Sequence, residues 1–343
     1  MPPANHLDSF LEFARLEIAT GGPDPHLKIA VEGLRRANST EERVWRAACY
    51  VAPYEVSTGS VIWSEWPLEK TLRRPRNFAQ WITRHWKGLC IRRERRAART
   101  PAKMTECLLS AAKYASKCAS PLKEDYELAW KQSDLELRYF GRYALIKFLQ
   151  TLHQGGAMAY GIPDIRPKGG WSPRTALALI CGKPDDPEWI ESNDPIVLNE
   201  IQRRTNSLLQ LVSSKTIDAH GKPTVSYFDI EVLLCNYRQA ILRKYPGRPQ
   251  DTDLAYYYKA TEYWKGLHWK ELPFPVLEVR RKLFPKEVLG EVQGWHGPRE
   301  ELGETYSVHG YFWCDLIHDY RNTRNLEQPA LRAKRLQNII RLR

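Results

Sequence analysis

The stretch YVAPYEVSTGSVIWSEWP, residues 50–67, crowds aromatic rings around a carboxylate. Its rings belong to Tyr50, Tyr54, Trp63 and Trp66, and Glu55 comes just before a Ser-Thr-Gly segment typical of a turn. A turn there would fold the chain back and place rings on two sides of a space suited to a planar base. We therefore predict that the four rings bind substrate and that Glu55, at the rim, accepts a proton from an amine. The competing interpretation places both tryptophans in the core and leaves Glu55 an exposed turn residue.

A second stretch, LRYFGRYALIKFLQ at residues 137–150, combines cations with rings. As a helix it places Tyr139, Arg142 and Tyr143 on neighbouring turns, with Lys147 four residues after Tyr143. A row of cations beside rings suits a phosphate or a stacked base. The alternative is a packing face between helices whose cations extend to solvent.

The third stretch, EVLLCNYRQAILRKYPGRPQDTD at residues 231–253, carries a thiol between charged groups. Helical spacing puts Glu231, Cys235 and Arg238 on one face. The segment then ends in further candidate site residues: Tyr245, Arg248, Asp251 and Asp253. Cys235 is a candidate nucleophile, although a small buried apolar residue is the more ordinary role of a cysteine.

The sequence contains no motif typical of a metal site, of a nucleotide cofactor or of a catalytic triad. Cys314 and His318 are four residues apart and His309 is near, but no carboxylate completes a ligand set, so we predict no metal. A Walker A motif, a GxGxxG motif and a Ser-His-Asp pattern are absent, so we predict no cofactor.

Positive charge is concentrated in RHWKGLCIRRERRAARTPAK, residues 84–103. On a continuous helix its cations form one stripe with no acid between them: Arg92, Arg95, Arg96, Arg99 and Lys103. Such a stripe repels itself, and the chain carries a net charge of +12, so we predict contact with a nucleic-acid backbone. A solvated helix face is the alternative. The basic C-terminal segment RAKRLQNIIRLR is interpreted in the same two ways.

The elements that hold these residues are mainly helices. Helix starts are signalled by four pairs and a capping box: Thr100-Pro101, Ser120-Pro121, Ser172-Pro173, Asp194-Pro195, and Ser226 with Asp229. Strand-like alternation is limited to SVIW and KPTVSYF, which predict short hairpins at most. We expect a mostly α, multi-helical fold, as a single catalytic domain over residues 1–343 with sub-lobes 1–155 and 156–343.

A glycine-rich hairpin precedes one of these helix starts, within YGIPDIRPKGGWSPRTALALI at residues 160–180. DNA glycosylases hold a phosphate on the backbone N–H groups of a similar hairpin at a helix N-terminus. We therefore predict that Lys168, Gly169 and Gly170 contact DNA.

The surroundings of the protein follow from composition. No apolar run approaches the length of a membrane span, and the N-terminal residues lack the profile of a signal peptide. The seven cysteines are scattered and never form CxxC, which favours free thiols in a reducing compartment. We expect a cytoplasmic monomer that does not bind membranes.

The three stretches at 50–67, 137–150 and 231–253 together resemble the bacteriophage α-glutamyl/putrescinyl thymine pyrophosphorylases, or amino acid:DNA transferases. That family is similar to the helix-hairpin-helix DNA glycosylases, which implies a glycosylase-like helical fold. Its members act on phage DNA in which the thymine precursor carries a pyrophosphate on its 5-hydroxymethyl group. They displace the pyrophosphate with an amine and produce hypermodified thymine.

The resemblance implies a transferase whose partners are double-stranded phage DNA and a free amino acid or polyamine. Such an enzyme flips the base into an aromatic pocket, and cations such as Arg142 and Lys147 stabilise the leaving pyrophosphate. A carboxylate deprotonates the amine, either Glu55 or one of Glu231, Asp251 and Asp253. The ring itself expels the pyrophosphate, or a nucleophile such as Cys235 adds at C6. A base-excising glycosylase and a non-enzymatic basic DNA-binding protein remain the alternatives.

Overall fold

The computed structural model describes residues 6–19, 24–89, 91, 98–117, 125–184, 186–216 and 225–241. Within these ranges the regular structure is helical and no strand occurs. The prediction of a mostly α, multi-helical fold is therefore confirmed. Likeness to the helix-hairpin-helix glycosylases stays a prediction.

The described residues form two compact units. The first unit comprises residues 24–163, and its helices are α2 (Pro25–Arg35), α3 (Thr40–Val51), α4 (Val56–Glu65), α5 (Leu68–Arg73), α6 (Pro75–His85), a 3-10 turn (Trp86–Gly88), α7 (Pro101–Ala115), α8 (Tyr126–Glu136) and α9 (Arg142–Gln154). The second unit holds α1 (His6–Ala19), α10 (Trp171–Ile180), α11 (Pro187–Glu191), α12 (Pro195–Ser213) and α13 (Tyr227–Ile241). The single catalytic domain and its sub-lobes stay a prediction.

Several helices begin where their sequence signals predict. The Thr100 side chain accepts a hydrogen bond from the Lys103 N–H at 3.2 Å, and Asp194 accepts one from Ile196 at 2.7 Å. Ser226 and Asp229 form the predicted capping box, with the Ser226 N–H donating to Asp229 Oδ2 at 2.8 Å. Helix α10 begins at Trp171, directly before the predicted Ser-Pro start. Ser120-Pro121 lies outside the described residues.

Helix α3 lies at the centre of the first unit and packs against α2, α4, α7 and α9. The crossing with α4 is close because Gly59 has no side chain. A Cβ atom at Gly59 would lie 2.9 Å from both the Cys49 carbonyl oxygen and the Tyr50 Cα atom. Backbone atoms cannot yield as a flexible side chain does, so the crossing requires glycine at this position.

This crossing corrects two predictions about residues 57–63. The Ser-Thr-Gly segment is not a turn but part of the first turn and a half of α4, and SVIW continues the same helix instead of forming a hairpin. Gly59 has the sequence character of a turn residue, whereas its role is close helix packing. In KPTVSYF, residues 225–226 are irregular and the last two residues open α13, while the rest lies outside the described residues.

The basic stretch at residues 84–103 is not one continuous helix. Helix α6 ends at His85, the 3-10 turn follows, and Lys103 lies in the first turn of the separate helix α7. The Thr100-Pro101 cap starts that new helix, so the stripe cannot continue through it. Arg92, Arg95 and Arg96 lie outside the described residues, and Arg99 and Lys103 are exposed.

The second unit has an apolar core formed by α1 and α10 to α13. Phe10 and Phe13 of α1 contact the ring of Tyr237 on α13, with centroids 5.3 and 5.6 Å apart. Trp189 of α11 and Ile201 of α12 are buried in the same core. Among the described residues, no helix is both long and apolar enough to cross a membrane.

Candidate active site

A chain of four polar side chains, three of them buried and one half-buried, lies in the first unit. The Tyr143 hydroxyl donates to the Tyr54 hydroxyl at 3.0 Å, and Tyr54 donates to Asp24 Oδ2 at 2.9 Å. The same Asp24 oxygen accepts a hydrogen bond from Lys147 Nζ at 2.6 Å. Lys147 has no exposed side-chain surface and Asp24 is 7% exposed. We call this chain of Asp24, Lys147, Tyr54 and Tyr143 the hydroxyl relay.

Three elements bring the relay together. Asp24 stands at the N-cap of α2, yet its side chain caps no N–H group of that helix and instead turns to the ion pair with Lys147. Tyr143 and Lys147 are four residues apart on α9, so both project from the same face of that helix. Tyr54 follows the end of α3.

The ammonium group of Lys147 lies near both tyrosine rings of the relay. Its Nζ atom is 5.4 Å from the ring centroid of Tyr54 and 5.5 Å from that of Tyr143. The rings meet edge to face, with centroids 5.6 Å apart and an interplanar angle of 90°. Ring faces and a carboxylate thus compensate a cation that has been removed from water.

Tyr54 adopts a strained backbone conformation. Its φ is 53°, in the left-handed region that non-glycine residues rarely occupy. Tyr139, in the turn before α9, has a φ of 63°. Such conformations cost on the order of 1 to 3 kcal/mol each and concentrate at functional sites. Tyr54 therefore combines a strained backbone with a side-chain hydroxyl that donates to Asp24.

Tyr143 gives the relay an end near the surface. Its side chain is half-buried, whereas Tyr54 is 5% exposed and Lys147 is fully buried. A proton can therefore pass between a group bound near Tyr143 and the Asp24 carboxylate through two hydroxyl groups. Such a relay is suited to general acid–base chemistry.

Glu55 has a different environment from the predicted rim of a pocket. It is 2% exposed, and its Oε2 accepts a hydrogen bond from the Thr58 N–H at 2.6 Å. The carboxylate therefore caps the N-terminus of α4, where a negative charge is favourable. The competing interpretation of Glu55 as an exposed turn residue is wrong, because the side chain is buried against the start of α4. A role for Glu55 as the base stays a prediction.

The four rings of the first stretch have different neighbours. Tyr50 contacts Tyr54, with ring centroids 5.8 Å apart, on the side of the relay. Trp66 packs against Phe78 at 5.4 Å, and its carbonyl oxygen accepts a hydrogen bond from the Trp45 indole at 2.9 Å. Trp63 is 6% exposed and lies 6.0 Å from the Arg46 guanidinium carbon. Trp66 is thus a core residue.

The second stretch joins the relay through two of its four residues. Arg142 is the first residue of α9, and Tyr143 follows it. Tyr139 does not continue the helical row, because it lies in the preceding turn, where its hydroxyl donates to Glu106 at 2.7 Å. This hydrogen bond raises the pKa of the Tyr139 phenol. Lys147 belongs to the buried ion pair rather than to an exposed row of cations.

In the second unit, Glu231 and Cys235 meet as their spacing predicts. The Cys235 thiol lies 3.8 Å from Glu231 Oε1, and Glu231 is fully buried. Arg238 instead stacks on Trp171, with its guanidinium carbon 3.9 Å from the ring centroid, and burial lowers its pKa. The predicted roles of all three stay predictions.

The predicted DNA-binding hairpin has a tight turn before α10. Gly169 has a φ of 72°, and the Gly170 N–H donates to the Pro167 carbonyl at 2.9 Å. Lys168 and Gly169 are exposed and Gly170 is buried. The remaining predicted site residues of the third stretch lie outside the described residues: Tyr245, Arg248, Asp251 and Asp253.

Sequence reasoning missed Asp24 as a site residue. The Asp24-Pro25 pair has the same form as the Asp194-Pro195 helix start, so an unremarkable cap was the natural expectation. A second omission is the basic joint between α5 and α6, where Arg74 and Arg76 are exposed. Its signal was visible in the sequence as LRRPRN.

Among the described residues, no group of three His, Cys, Asp or Glu side chains is arranged to hold a metal ion. Comparison of the chain with protein-family models, with curated proteins and with solved structures finds no match.

Proposed function

We propose that this protein is a DNA-base-modifying transferase that joins the amine of an amino acid or polyamine to a thymine precursor whose 5-hydroxymethyl group carries a pyrophosphate, with release of pyrophosphate. One observation supports this proposal above the others. Tyr54 of the first resembling stretch and Tyr143 of the second, 89 residues apart, share a hydrogen bond at 3.0 Å within the relay. Residues picked out by the resemblance are thus partners in a buried arrangement suited to proton transfer.

The relay supplies the base that the transfer requires. In the reaction the amine nitrogen forms a bond to the exocyclic carbon on C5, and the bond from that carbon to the pyrophosphate oxygen breaks. The electron pair leaves with pyrophosphate, and the nitrogen loses one proton. In our proposal Tyr143 takes that proton while its own passes to Tyr54, and the Tyr54 proton passes to Asp24. Lys147 holds the carboxylate in place throughout.

The leaving pyrophosphate needs positive charge where its negative charge develops. Arg142 lies at the N-terminus of α9, where the first N–H groups have no acceptor within the helix and the positive end of its dipole is presented. A cation there is unfavourable for the helix itself and favourable for a bound anion. Because Arg142 is adjacent to Tyr143, leaving-group stabilisation and proton removal would act at one end of α9.

DNA binding is supported by exposed cations of the first unit. They are Arg74 and Arg76 at the α5–α6 joint, Arg84 at the end of α6, Lys87 in the 3-10 turn, and Arg99 and Lys103 around the start of α7. The whole chain carries a net charge of +12. Such a surface suits a phosphate backbone, and the target base must be flipped from the duplex to reach a half-buried tyrosine.

The proposal is tested with duplex DNA that contains one 5-hydroxymethyl-deoxyuridine pyrophosphate. The full chain is incubated with this DNA and a mixture of glycine, serine, lysine, glutamate and putrescine, and the nucleosides are then analysed by mass spectrometry. We expect a nucleoside carrying one of the amines, with one pyrophosphate released for each. Abasic sites would support base excision instead, and DNA binding without any product would support a non-enzymatic protein.

Two conservative variants link the activity to the relay. Tyr143→Phe removes only the hydroxyl at the surface end, and we expect the rate to fall by about a hundredfold to ten-thousandfold, the contribution of general acid–base catalysis. Tyr139→Phe is the matched control, because it removes a hydroxyl four residues away that bonds to Glu106. Equal rates in both variants would remove the relay from the mechanism.

A further inference from the structure

A groove of about 610 Å³ opens in the first unit, away from the relay. It is lined by residues between the end of α2 and the middle of α3, and by residues from the end of α4 to α5, among them Arg36, Asn38, Glu42, Arg46, Trp63 and Glu69. Glu42 precedes Tyr50 by eight residues on α3, which corresponds to about 12 Å along the helix axis. The groove and the relay thus lie towards opposite ends of this helix.

A half-buried ion pair forms the wall of the groove. Arg46 Nε lies 3.4 Å from Glu42 Oε1, and each side chain is 21% exposed. Arg46 Nη1 also donates to the Gly33 carbonyl at 2.7 Å, and Glu42 Oε2 accepts the Leu68 N–H at 3.3 Å. These bonds hold both charged groups in fixed positions beside the indole of Trp63, and a fixed charge needs little reorganisation when a ligand binds.

Glu42 retains capacity for a cationic ligand. Burial raises the pKa of its carboxyl group, although the Leu68 N–H and Arg46 both act in the opposite direction. The existing partners therefore do not fully offset the loss of water around this carboxylate. An ammonium group in the groove would add the missing compensation, and the adjacent Trp63 ring also favours a cation.

The charged side chains that line the groove indicate which class of ligand it binds. The lining includes two cationic side chains, Arg36 and Arg46, and two anionic ones, Glu42 and Glu69, of which Glu69 also pairs with Arg73 at 2.8 Å. A polyamine would meet two arginines, and pyrophosphate would meet two glutamates. A zwitterion with one ammonium and one carboxylate group matches both signs at once.

We propose that this groove binds a free α-amino acid as a zwitterion, at a site separate from the relay. The ammonium group lies towards Glu42 and Trp63. The carboxylate lies towards Arg36 and Asn38, which are exposed at the mouth. A volume of about 610 Å³ is within the range of small-molecule sites and leaves room for a side chain.

Equilibrium dialysis of the full chain against radiolabelled glycine tests this proposal directly. We expect saturable binding, with unlabelled L-glutamate competing well. Putrescine and inorganic pyrophosphate should compete at least about tenfold more weakly, because each meets a like-charged pair. Absence of saturable glycine binding up to about 10 mM, or equal competition by putrescine or pyrophosphate, would overturn the proposal.

Two charge-removing variants locate the ligand. Glu42→Gln and Arg36→Gln should each weaken glycine binding by about tenfold, the effect of removing one charge-assisted hydrogen bond. Their controls are Glu136→Gln and Lys113→Gln, which remove the same charges from exposed positions on α8 and α7. Glycine binding at the wild-type level in Arg36→Gln would exclude the groove, and this exposed variant gives a result even if Glu42→Gln does not fold.

The outcome is independent of the proposed transferase, because the dialysis contains no DNA. Arg36→Gln should weaken glycine binding, whereas Tyr143→Phe should slow amine transfer, since the relay lies towards the other end of α3. If glycine bound only when Tyr143 is intact, the relay rather than the groove would hold the amino acid. Amine transfer without glycine binding in the groove would support the proposed transferase and contradict the proposed amino-acid site.

Discussion

Replacing Lys147 by methionine tests whether the buried ion pair holds the first unit together. Methionine keeps most of the side-chain volume but removes the ammonium group. The variant leaves the Asp24 carboxylate, 7% exposed, with the Tyr54 hydroxyl but without its cation. Removing one partner of a buried pair costs about 3 to 5 kcal/mol, mainly because the remaining charge is poorly compensated. This is a large part of the roughly 5 to 15 kcal/mol that stabilises a folded domain.

The double variant Asp24→Asn with Lys147→Met removes both charges of the ion pair. It therefore distinguishes the net contribution of the pair from the cost of leaving the Asp24 carboxylate buried without its cation. An asparagine side chain still accepts the Tyr54 hydrogen bond and carries no charge, so most of the stability lost in Lys147→Met should return. We expect a coupling free energy of about 2 to 3 kcal/mol between the two positions. Lys113→Met, on the exposed face of α7, is the control and should change stability by no more than about 0.5 kcal/mol.

The assay is urea denaturation of the wild type, Lys147→Met, Asp24→Asn, the double variant and Lys113→Met, followed by tryptophan fluorescence and by far-ultraviolet circular dichroism. A loss below about 1 kcal/mol in Lys147→Met, or equal losses in the single and double variants, would refute the reasoning that the pair is buried and coupled.

Three further predictions concern the first unit. Gly59→Ala places a Cβ atom 2.9 Å from two backbone atoms of α3 and should destabilise the protein by about 1 to 3 kcal/mol in urea denaturation. Gly141→Ala, with no atom within 4 Å, should cost less than about 1 kcal/mol, the effect of a poorer N-cap on α9. Burial raises the pKa of Glu42 above its usual 4.5, so the stability linked to its protonation is present at low pH and is lost as pH rises through the raised value. Glu42→Gln should therefore gain thermal stability relative to the wild type as the pH rises above 4.5, and a constant difference would contradict this. Replacing Arg99 and Lys103 together by glutamine should weaken DNA binding and reduce the salt dependence by about one unit for each phosphate that is no longer neutralised, and an unchanged slope would assign both to solvent.

Local features of the fold were predictable because they depend on neighbouring residues. Thr100, Asp194 and Ser226 begin helices through hydrogen bonds to groups two or three residues away, and these bonds can be inferred from the sequence. The helical spacing of Glu231 and Cys235 likewise predicted a contact within one helix.

Features that depend on distant partners were not predictable in this way. Gly59 resembles a turn residue until the backbone of α3 is seen against it. Asp24 resembles a helix cap, and only the position of α9 turns it into the partner of Lys147. Propensity describes a residue in its own segment, and tertiary packing overrides it where two helices meet closely.

The sequence separation within the relay has a consequence for how the protein reaches its active form. Asp24 and Lys147 are 123 residues apart, and their contact closes a loop that spans nearly the whole first unit. Long-range contacts form late, because the chain must first lose the entropy of closing that loop. During refolding, helical circular dichroism should therefore recover before the relay does. A partly folded or truncated chain would contain most of its helices and still lack a paired Lys147, so chemical reactivity of the lysine amine would report completion of folding.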